Sequence, residues 1–235
     1  MNALPTVAAA TALGGVTAVV VGGWYYLTPD FFEVGYMPEQ PGGGFNHQIH
    51  VGQLGMDCRY CHTHVEESYH SNVPTVSTCM GCHSENKLAK LGPVEDNSVH
   101  RQKTNFIREA YASNESIEWR RIHYVPDYAH FPHAVHVHAG ISCYSCHGSI
   151  PGMPVVYQAE SLSMGWCLDC HREPEQHLGP QDKVTDLMWW EENWASKPVD
   201  QRSYTDPVTG EVFTPQKLLQ QLTDAPPQHC AACHY

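Results

Sequence analysis

The sequence predicts a mainly α-helical and irregular fold with one amino-terminal transmembrane helix. Three observations support this prediction. The first 29 residues contain no charged side chain, and five short cysteine–histidine motifs are spread over the rest of the chain. The chain also has 18 glycines and 17 prolines, which favour turns and loops over long regular elements. We therefore expect short helices at the motifs and few strands.

The amino-terminal segment, residues 1–29, is predicted to be a membrane anchor. Val7 to Leu27 is almost wholly apolar or small, and these 21 residues are long enough to cross a bilayer as a helix. Trp24 to Tyr26 lie at the end of this run, where interfacial aromatic residues are enriched. A cleaved signal peptide is the alternative, but its apolar core is usually shorter. Residues 30–44, rich in proline and glycine, are predicted to form a tether.

Each of the five motifs reads C-x-x-C-H, the attachment sequence of a c-type haem. Two thiols bond to the vinyl groups of one porphyrin, and the histidine becomes the proximal iron ligand. Disulfides need no histidine after each pair, zinc sites rarely place one there, and thioredoxin-type redox motifs occur singly. We therefore predict five covalently bound haem c groups. Their cysteines are Cys58, Cys61, Cys79, Cys82, Cys143, Cys146, Cys167, Cys170, Cys230 and Cys233, and their proximal histidines are His62, His83, His147, His171 and His234.

The motifs form two pairs and a single copy, which indicates a duplicated two-haem unit. The first dihaem module covers residues 45–84 and the second residues 123–180. In each module F-x-H-x-x-H precedes two motifs, and its first histidine lies 11 or 10 residues before the next cysteine. Residues 85–122 are a predicted linker with a helix at Arg101–Ile122. Residues 181–235 are an extension without cysteine until the fifth motif.

Twelve histidines remain for the sixth positions of five irons. In F-x-H-x-x-H the two imidazoles lie one helical turn apart, so each can reach a different haem. We assign the four histidines of these sequences, in chain order, to the first four haems: His47, His50, His133 and His136. His123 and His70 are alternative ligands for the fifth haem, and Met153 or Met164 stays open as a thioether ligand. Bis-histidine ligation leaves no open iron position, which favours electron transfer over catalysis.

The extension contains Trp189, Trp190 and Trp194, for which two roles stay open. The indoles either pack beneath a haem or anchor a partner subunit. Turn signals follow at residues 206–210, and a short leucine-bearing helix is predicted near Lys217–Leu222.

Charge and haem chemistry limit where the protein works. The formal net charge of −12 argues against nucleic-acid binding, which needs clustered lysine and arginine. Covalent haem attachment takes place outside the bacterial cytoplasm. We therefore expect a single-pass protein of the bacterial cytoplasmic (inner) membrane, with its haem domain on the periplasmic side.

Several stretches resemble known families. The two modules resemble the class III, c7-type multihaem cytochromes. D-C-R-Y-C-H (Asp57–His62), T-C-M-G-C-H (Thr78–His83), the histidine-rich stretch His123–His136 and S-M-G-W-C-L-D-C-H-R (Ser163–Arg172) are similar to the pentahaem cytochrome subunit of alternative complex III. The resemblance covers about residues 45–172, together with the anchor and the last motif.

The resemblance implies a membrane complex that oxidises quinol, usually menaquinol, and reduces a periplasmic cytochrome c, a copper protein or an oxidase. It also implies three kinds of partner: membrane-embedded quinol-oxidising subunits, an iron-sulfur subunit and a monohaem cytochrome c subunit. Within such a complex this chain would conduct electrons and catalyse no reaction alone.

Two other functions are weighed against this one. A quinol dehydrogenase that feeds periplasmic reductases also has one amino-terminal helix and several C-x-x-C-H sites, but the long cysteine-free insertions fit that compact architecture poorly. A multihaem reductase, for example of nitrite, would need a haem without a distal ligand or with a proximal lysine. No C-x-x-C-K sequence occurs in the chain.

Overall fold

A computed structural model describes residues 3–84, 87 and 99–235 of the chain. Most of the predicted linker before residue 99 therefore lies outside the described residues. The helices are α1 (Leu4–Leu27), α2 (Val76–His83), α3 (Val99–Lys103), α4 (Asn105–Ser113), α5 (His133–His138), α6 (Tyr144–His147), α7 (Met164–Arg172), α8 (Leu187–Trp189) and α9 (Pro215–Gln221), and the strands are β1 (Tyr204–Thr205) and β2 (Val212–Phe213). Short 3-10 and π-helical turns and irregular segments connect these elements.

Helix α1 is the longest helix of the described chain. Its 24 residues contain no buried side chain, and an 18-residue window reaches a mean hydropathy of 1.8. Pro5 lies in the first turn, where its missing N–H is tolerated. The helix ends where the Thr28 N–H donates to the Trp24 carbonyl at 2.9 Å. Its length and composition suit a bilayer crossing.

The helix predicted at Arg101–Ile122 is wrong in its extent. The structure has the two short helices α3 and α4 there, and the chain is irregular after α4. Asn114 stops α4 because it adopts a left-handed conformation with φ of 57°, which asparagine tolerates better than most residues. Beyond this stop, Trp119 turns back and packs edge-to-face on Phe106 of α4, with ring centroids 6.0 Å apart.

The tryptophans of the extension form a core of their own. Trp190 and Trp194 are fully buried, so neither is an exposed anchor. The Trp194 indole N–H donates to the Leu178 carbonyl at 3.0 Å, which satisfies its one polar group. Trp189 is half-buried at the edge of this core, against Tyr204. The indoles thus hold the extension against the end of the second module.

A small hairpin and α9 complete the extension. Tyr204 pairs with Phe213 and Thr205 with Val212 in antiparallel register. The Asp206 carboxylate accepts backbone N–H bonds from Val208 at 2.7 Å and Thr209 at 3.0 Å, which fixes the turn between the strands. Helix α9 then begins after Thr214, whose hydroxyl caps it.

Gly179 packs directly against the tryptophan core of the extension. A Cβ atom there would clash with the buried ring of Trp190. We expect Gly179→Ala to lower the free energy of unfolding by about 2 kcal/mol, because overpacking displaces a side chain without room to move. Guanidinium unfolding followed by circular dichroism measures this.

Gly165→Ala is the matched control, because a Cβ there meets only the Ser163 hydroxyl at 4.0 Å. Equal losses of stability in the two variants would contradict the role of the Gly179–Trp190 contact.

Candidate haem sites

Each cysteine–histidine motif forms a single helical turn. In three motifs the backbone N–H of the histidine donates to the carbonyl of the first cysteine at 2.9 Å: His62 to Cys58, His147 to Cys143 and His234 to Cys230. The other two motifs end α2 and α7. Residues three and four apart are neighbours on a helix surface, so the turn brings both thiols and the imidazole to one side. All ten cysteines are free thiols in the structure, a donor set that fits thioether attachment.

Three histidines of the F-x-H-x-x-H sequences face a motif histidine across a gap. The ring centroids are 6.1 Å apart for His50 and His83, 6.5 Å for His133 and His147, and 6.2 Å for His136 and His171. A metal–imidazole bond is about 2 Å long and the ring centre lies about 1 Å beyond the nitrogen, so one iron between two imidazoles separates the centroids by roughly 6 Å. The residues present therefore fit a six-coordinate haem iron.

The two F-x-H-x-x-H turns have nearly the same geometry. Phe45 lies 4.7 Å from His47 and 4.3 Å from His50, with interplanar angles of 81° and 28°. The corresponding phenylalanine of the second turn, Phe131, lies 4.9 Å from its first histidine and 4.3 Å from its second, at 86° and 31°. Each phenylalanine therefore supports both imidazoles of its turn in the same way.

Backbone carbonyls fix the orientation of these imidazoles. Since a carbonyl only accepts, each Nδ1 bonded to one carries the proton, and Nε2 keeps a free lone pair for a metal. Among the F-x-H-x-x-H histidines the bonds run from His50 to Asn46 at 2.8 Å, from His133 to Tyr69 at 2.6 Å and from His136 to Pro132 at 2.9 Å. Among the motif histidines they run from His62 to Asn72 at 2.6 Å, from His171 to Pro227 at 2.6 Å and from His234 to Tyr128 at 2.9 Å.

Burial favours the neutral form that binds a metal. It lowers the pKa of His133 and His136, and it holds the pKa of His147 well below the usual range. Burial, followed by the nearby His62, lowers the pKa of His47 to about 4. The buried Nδ1 of His47 has no hydrogen-bond partner among the described residues.

His123 lies against the motif histidine of the third site. Its Nε2 lies 3.2 Å from Nδ1 of His147, with ring centroids 4.2 Å apart. This imidazole therefore contacts Nδ1 of the third motif histidine, and its role as a fifth distal ligand stays a prediction. After burial, the charge of His70 also lowers the pKa of His133, and His70 stays a proposal as the fifth distal ligand.

The fifth motif docks on the segment that leads into α5. The backbone N–H of His130 donates to the Cys233 carbonyl at 2.8 Å. The His130 ring stacks on the Tyr235 ring, with centroids 4.2 Å apart. The hydroxyls of Tyr235 and Tyr69 are 2.6 Å apart. No motif spacing predicts this contact, because His130 lies about 100 residues before the fifth motif.

No family model matches the chain. A curated relative, the multiheme cytochrome c subunit of a menaquinone reductase from Nitratidesulfovibrio vulgaris, is 27% identical over 187 residues. The matched region covers 71% of this chain and 81% of the relative. The similarity therefore extends over most of both chains.

The imidazole pairs generate a ligand test. We expect His136→Ala to convert one haem of the haem-loaded protein from low-spin to high-spin, because it removes one of the two imidazoles, with His171, that would hold that iron. Electron paramagnetic resonance of the oxidised protein measures the change.

His138→Ala is the control on the same helix, since this imidazole bonds through Nε2 to the Glu66 carbonyl at 2.8 Å. A high-spin signal in the control, or none in His136→Ala, would refute the pairing.

Proposed function

We propose that this chain is a membrane-anchored pentahaem cytochrome c, the electron-transfer subunit of a quinol-oxidising complex. The observation that carries the proposal is the set of three opposed imidazole pairs with centroids 6.1–6.5 Å apart. The five motifs and the multiheme relative support it. Haem, when bound, supplies reversible one-electron exchange at iron. The chain attaches it through ten thiols and presents neutral imidazoles to the metal.

The two modules are proposed to be class III, c7-like dihaem units that arose by duplication. The equivalent geometry at Phe45 and Phe131 supports this. So does the second pair of each module, since His50–His83 and His136–His171 have interplanar angles of 47° and 42°. We number the sites by their motifs, from site 1 (His62) to site 5 (His234).

Contacts between the sites support a continuous series in the order 2, 1, 3, 4, 5. Gly81 of the second motif lies close to Tyr60 of the first motif. A Cβ atom built on Gly81 would be 3.9 Å from the Tyr60 hydroxyl oxygen. The single turn that carries His47 and His50 also supplies one assigned ligand to each of these two sites. Electrons would pass between these sites without leaving the first module.

Sites 1 and 3 join the two modules. His62 and His133 donate to carbonyls three residues apart, at Asn72 and Tyr69, both at 2.6 Å. On the other side, the Cys143 N–H donates to the Val184 carbonyl at 3.3 Å, and the Cys58 thiol donates to the next carbonyl, of Thr185, at 3.6 Å. Sites 1 and 3 therefore contact the same two short segments of the chain, residues 69–72 and 184–185.

Sites 3, 4 and 5 continue the series. Helix α5 presents His133 to site 3 and His136 to site 4, one turn apart. His171 of site 4 donates to the carbonyl of Pro227 at 2.6 Å, three residues before Cys230 of site 5. Sites 2 and 5 are thus the two ends, where electrons would enter and leave.

The proposed setting is the periplasmic side of the bacterial cytoplasmic membrane, with α1 as the single span. The proposed partners are membrane-embedded quinol-oxidising subunits, an iron-sulfur subunit and a monohaem cytochrome c subunit. The name of the relative, a menaquinone reductase, favours a second candidate in which the same series of sites carries electrons toward quinone. The alternative of a quinol dehydrogenase feeding periplasmic reductases places quinol oxidation in this chain itself.

The order of the sites predicts a local effect at the carboxyl end. We expect Cys230→Ala/Cys233→Ala, which removes site 5, to shift the midpoint potential of site 4 and leave that of site 2 unchanged. Charge on one site acts mainly on its neighbours, because the interaction falls with distance and is screened. A redox titration followed by electron paramagnetic resonance measures both.

Cys79→Ala/Cys82→Ala, which removes site 2 at the other end, is the matched control and should shift site 1 alone. A shift of all remaining potentials by similar amounts in both variants would refute the order.

The function is tested on the native assembly. Membranes are extracted with mild detergent, separated on a native gel and stained for haem. The stained band is assayed for menaquinol oxidation with a soluble acceptor and for menaquinone reduction with a reduced cytochrome donor. A large band that oxidises menaquinol, and loses this activity when this chain is removed, is the expected result.

Activity only toward menaquinone would establish the second candidate. A small band that holds this chain alone and oxidises menaquinol would replace the proposal with the quinol dehydrogenase. A chain without covalent haem would refute all three.

A further inference from the structure

The motif histidine of site 3 has an unusual acceptor. His62, His171 and His234 donate from Nδ1 to backbone carbonyls. His147 instead meets Nε2 of His123 at 3.2 Å, and the two rings are nearly perpendicular at 80°. The Nδ1 of this motif histidine is therefore bonded to a side chain, whereas in the first, fourth and fifth motifs it is bonded to a backbone carbonyl.

The direction of this hydrogen bond follows from the role proposed for His147. If its Nε2 binds iron, its proton resides on Nδ1 and that nitrogen donates. The His123 Nε2 then accepts, and the His123 proton resides on its own Nδ1. The backbone of His123 is held locally, because Nε–H of Arg121 donates to the His123 carbonyl at 3.1 Å and the Arg121 guanidinium lies over the Tyr124 ring, 4.5 Å from its centre.

We propose that His123 is a positioning residue of site 3, which orients His147 and makes it a stronger iron ligand than the motif histidines of sites 1, 4 and 5. This inference rests on the proposed function. An imidazole nitrogen is a better base than an amide oxygen, so it draws the Nδ1 proton further from His147. The ligating nitrogen then carries more negative charge and stabilises ferric over ferrous iron, as outer partners of metal-bound histidines do.

Site 1 provides the internal comparison. Its motif histidine, His62, donates to the Asn72 carbonyl at 2.6 Å, while the phenylalanine–imidazole distances and angles are nearly the same in the two modules. The residue that corresponds to His123 in the first module, 86 positions earlier as Phe45 is to Phe131, is Met37, which has no strong acceptor. The acceptor is thus a specific difference between two otherwise matched sites.

The test uses the full-length protein with its haems attached. His123→Phe removes the acceptor, and His123→Gln places a side-chain carbonyl near it. We expect His123→Phe to raise the reduction equilibrium constant of one haem about tenfold, equivalent to about 59 mV for a one-electron couple. His123→Gln should restore part of this change. All five haems should stay low-spin in both variants, as measured by redox titration with electron paramagnetic resonance.

His138→Phe is the control, because His138 is a histidine of α5 that bonds to the Glu66 carbonyl. Unchanged potentials in both His123 variants, or a shift of equal size in the control, would overturn the proposal. A high-spin haem in either His123 variant would show that His123 is an iron ligand, and would overturn the positioning role while leaving the proposed function intact. The absence of low-spin haem in the unaltered protein would refute the proposed function itself.

Discussion

The hydrogen bond from a histidine Nδ1 to a distant backbone carbonyl is the interaction on which the rest of the structure depends. Its local effect is to fix the tautomer and the ring orientation, so that Nε2 points toward the place of a metal. The same bonds span long stretches of sequence: 56 residues from His171 to Pro227, 64 from His133 to Tyr69, and 106 from His234 to Tyr128. The bonds that orient the ligands therefore also bring the chain together.

This dual role matters because the apolar core of the polypeptide is small. Among the described residues nine hydrophobic side chains are buried, and they fall into separate groups. Val65, Val137 and Val184 form one cluster, while Trp190 and Trp194 pack against Gly179 and Leu178. A chain of this length normally buries a larger continuous core. On the proposed function, the porphyrin faces supply the missing apolar surface, so folding and haem attachment depend on one another.

The sequence predicts those features that are set within one or two helical turns. The spacing of F-x-H-x-x-H gives the two imidazoles of α5, and the structure brings each to a different motif. The acceptors at Asn72, Pro227 and Tyr128 carry no such signal, because a carbonyl is present at every residue. The contact between His123 and His147 carries no such signal either, because no motif spacing links the two residues. The end of α4 was missed because asparagine permits, but does not require, a left-handed stop.

The proposed duplication of the two modules accounts for where the differences between the sites lie. Local geometry is copied with the sequence, so Phe45 and Phe131 support their histidines alike. Long-range acceptors are not copied, because each depends on what the rest of the chain brings near. On the proposed duplication, the repeated sites can therefore acquire different electronic properties without any change in their motifs. On the proposed order, the imidazole acceptor acts on site 3, in the middle of the series. The reduction potentials of sites 2 and 5 can then match those of the electron donor and acceptor. The potential of site 3 makes the second module differ from the first.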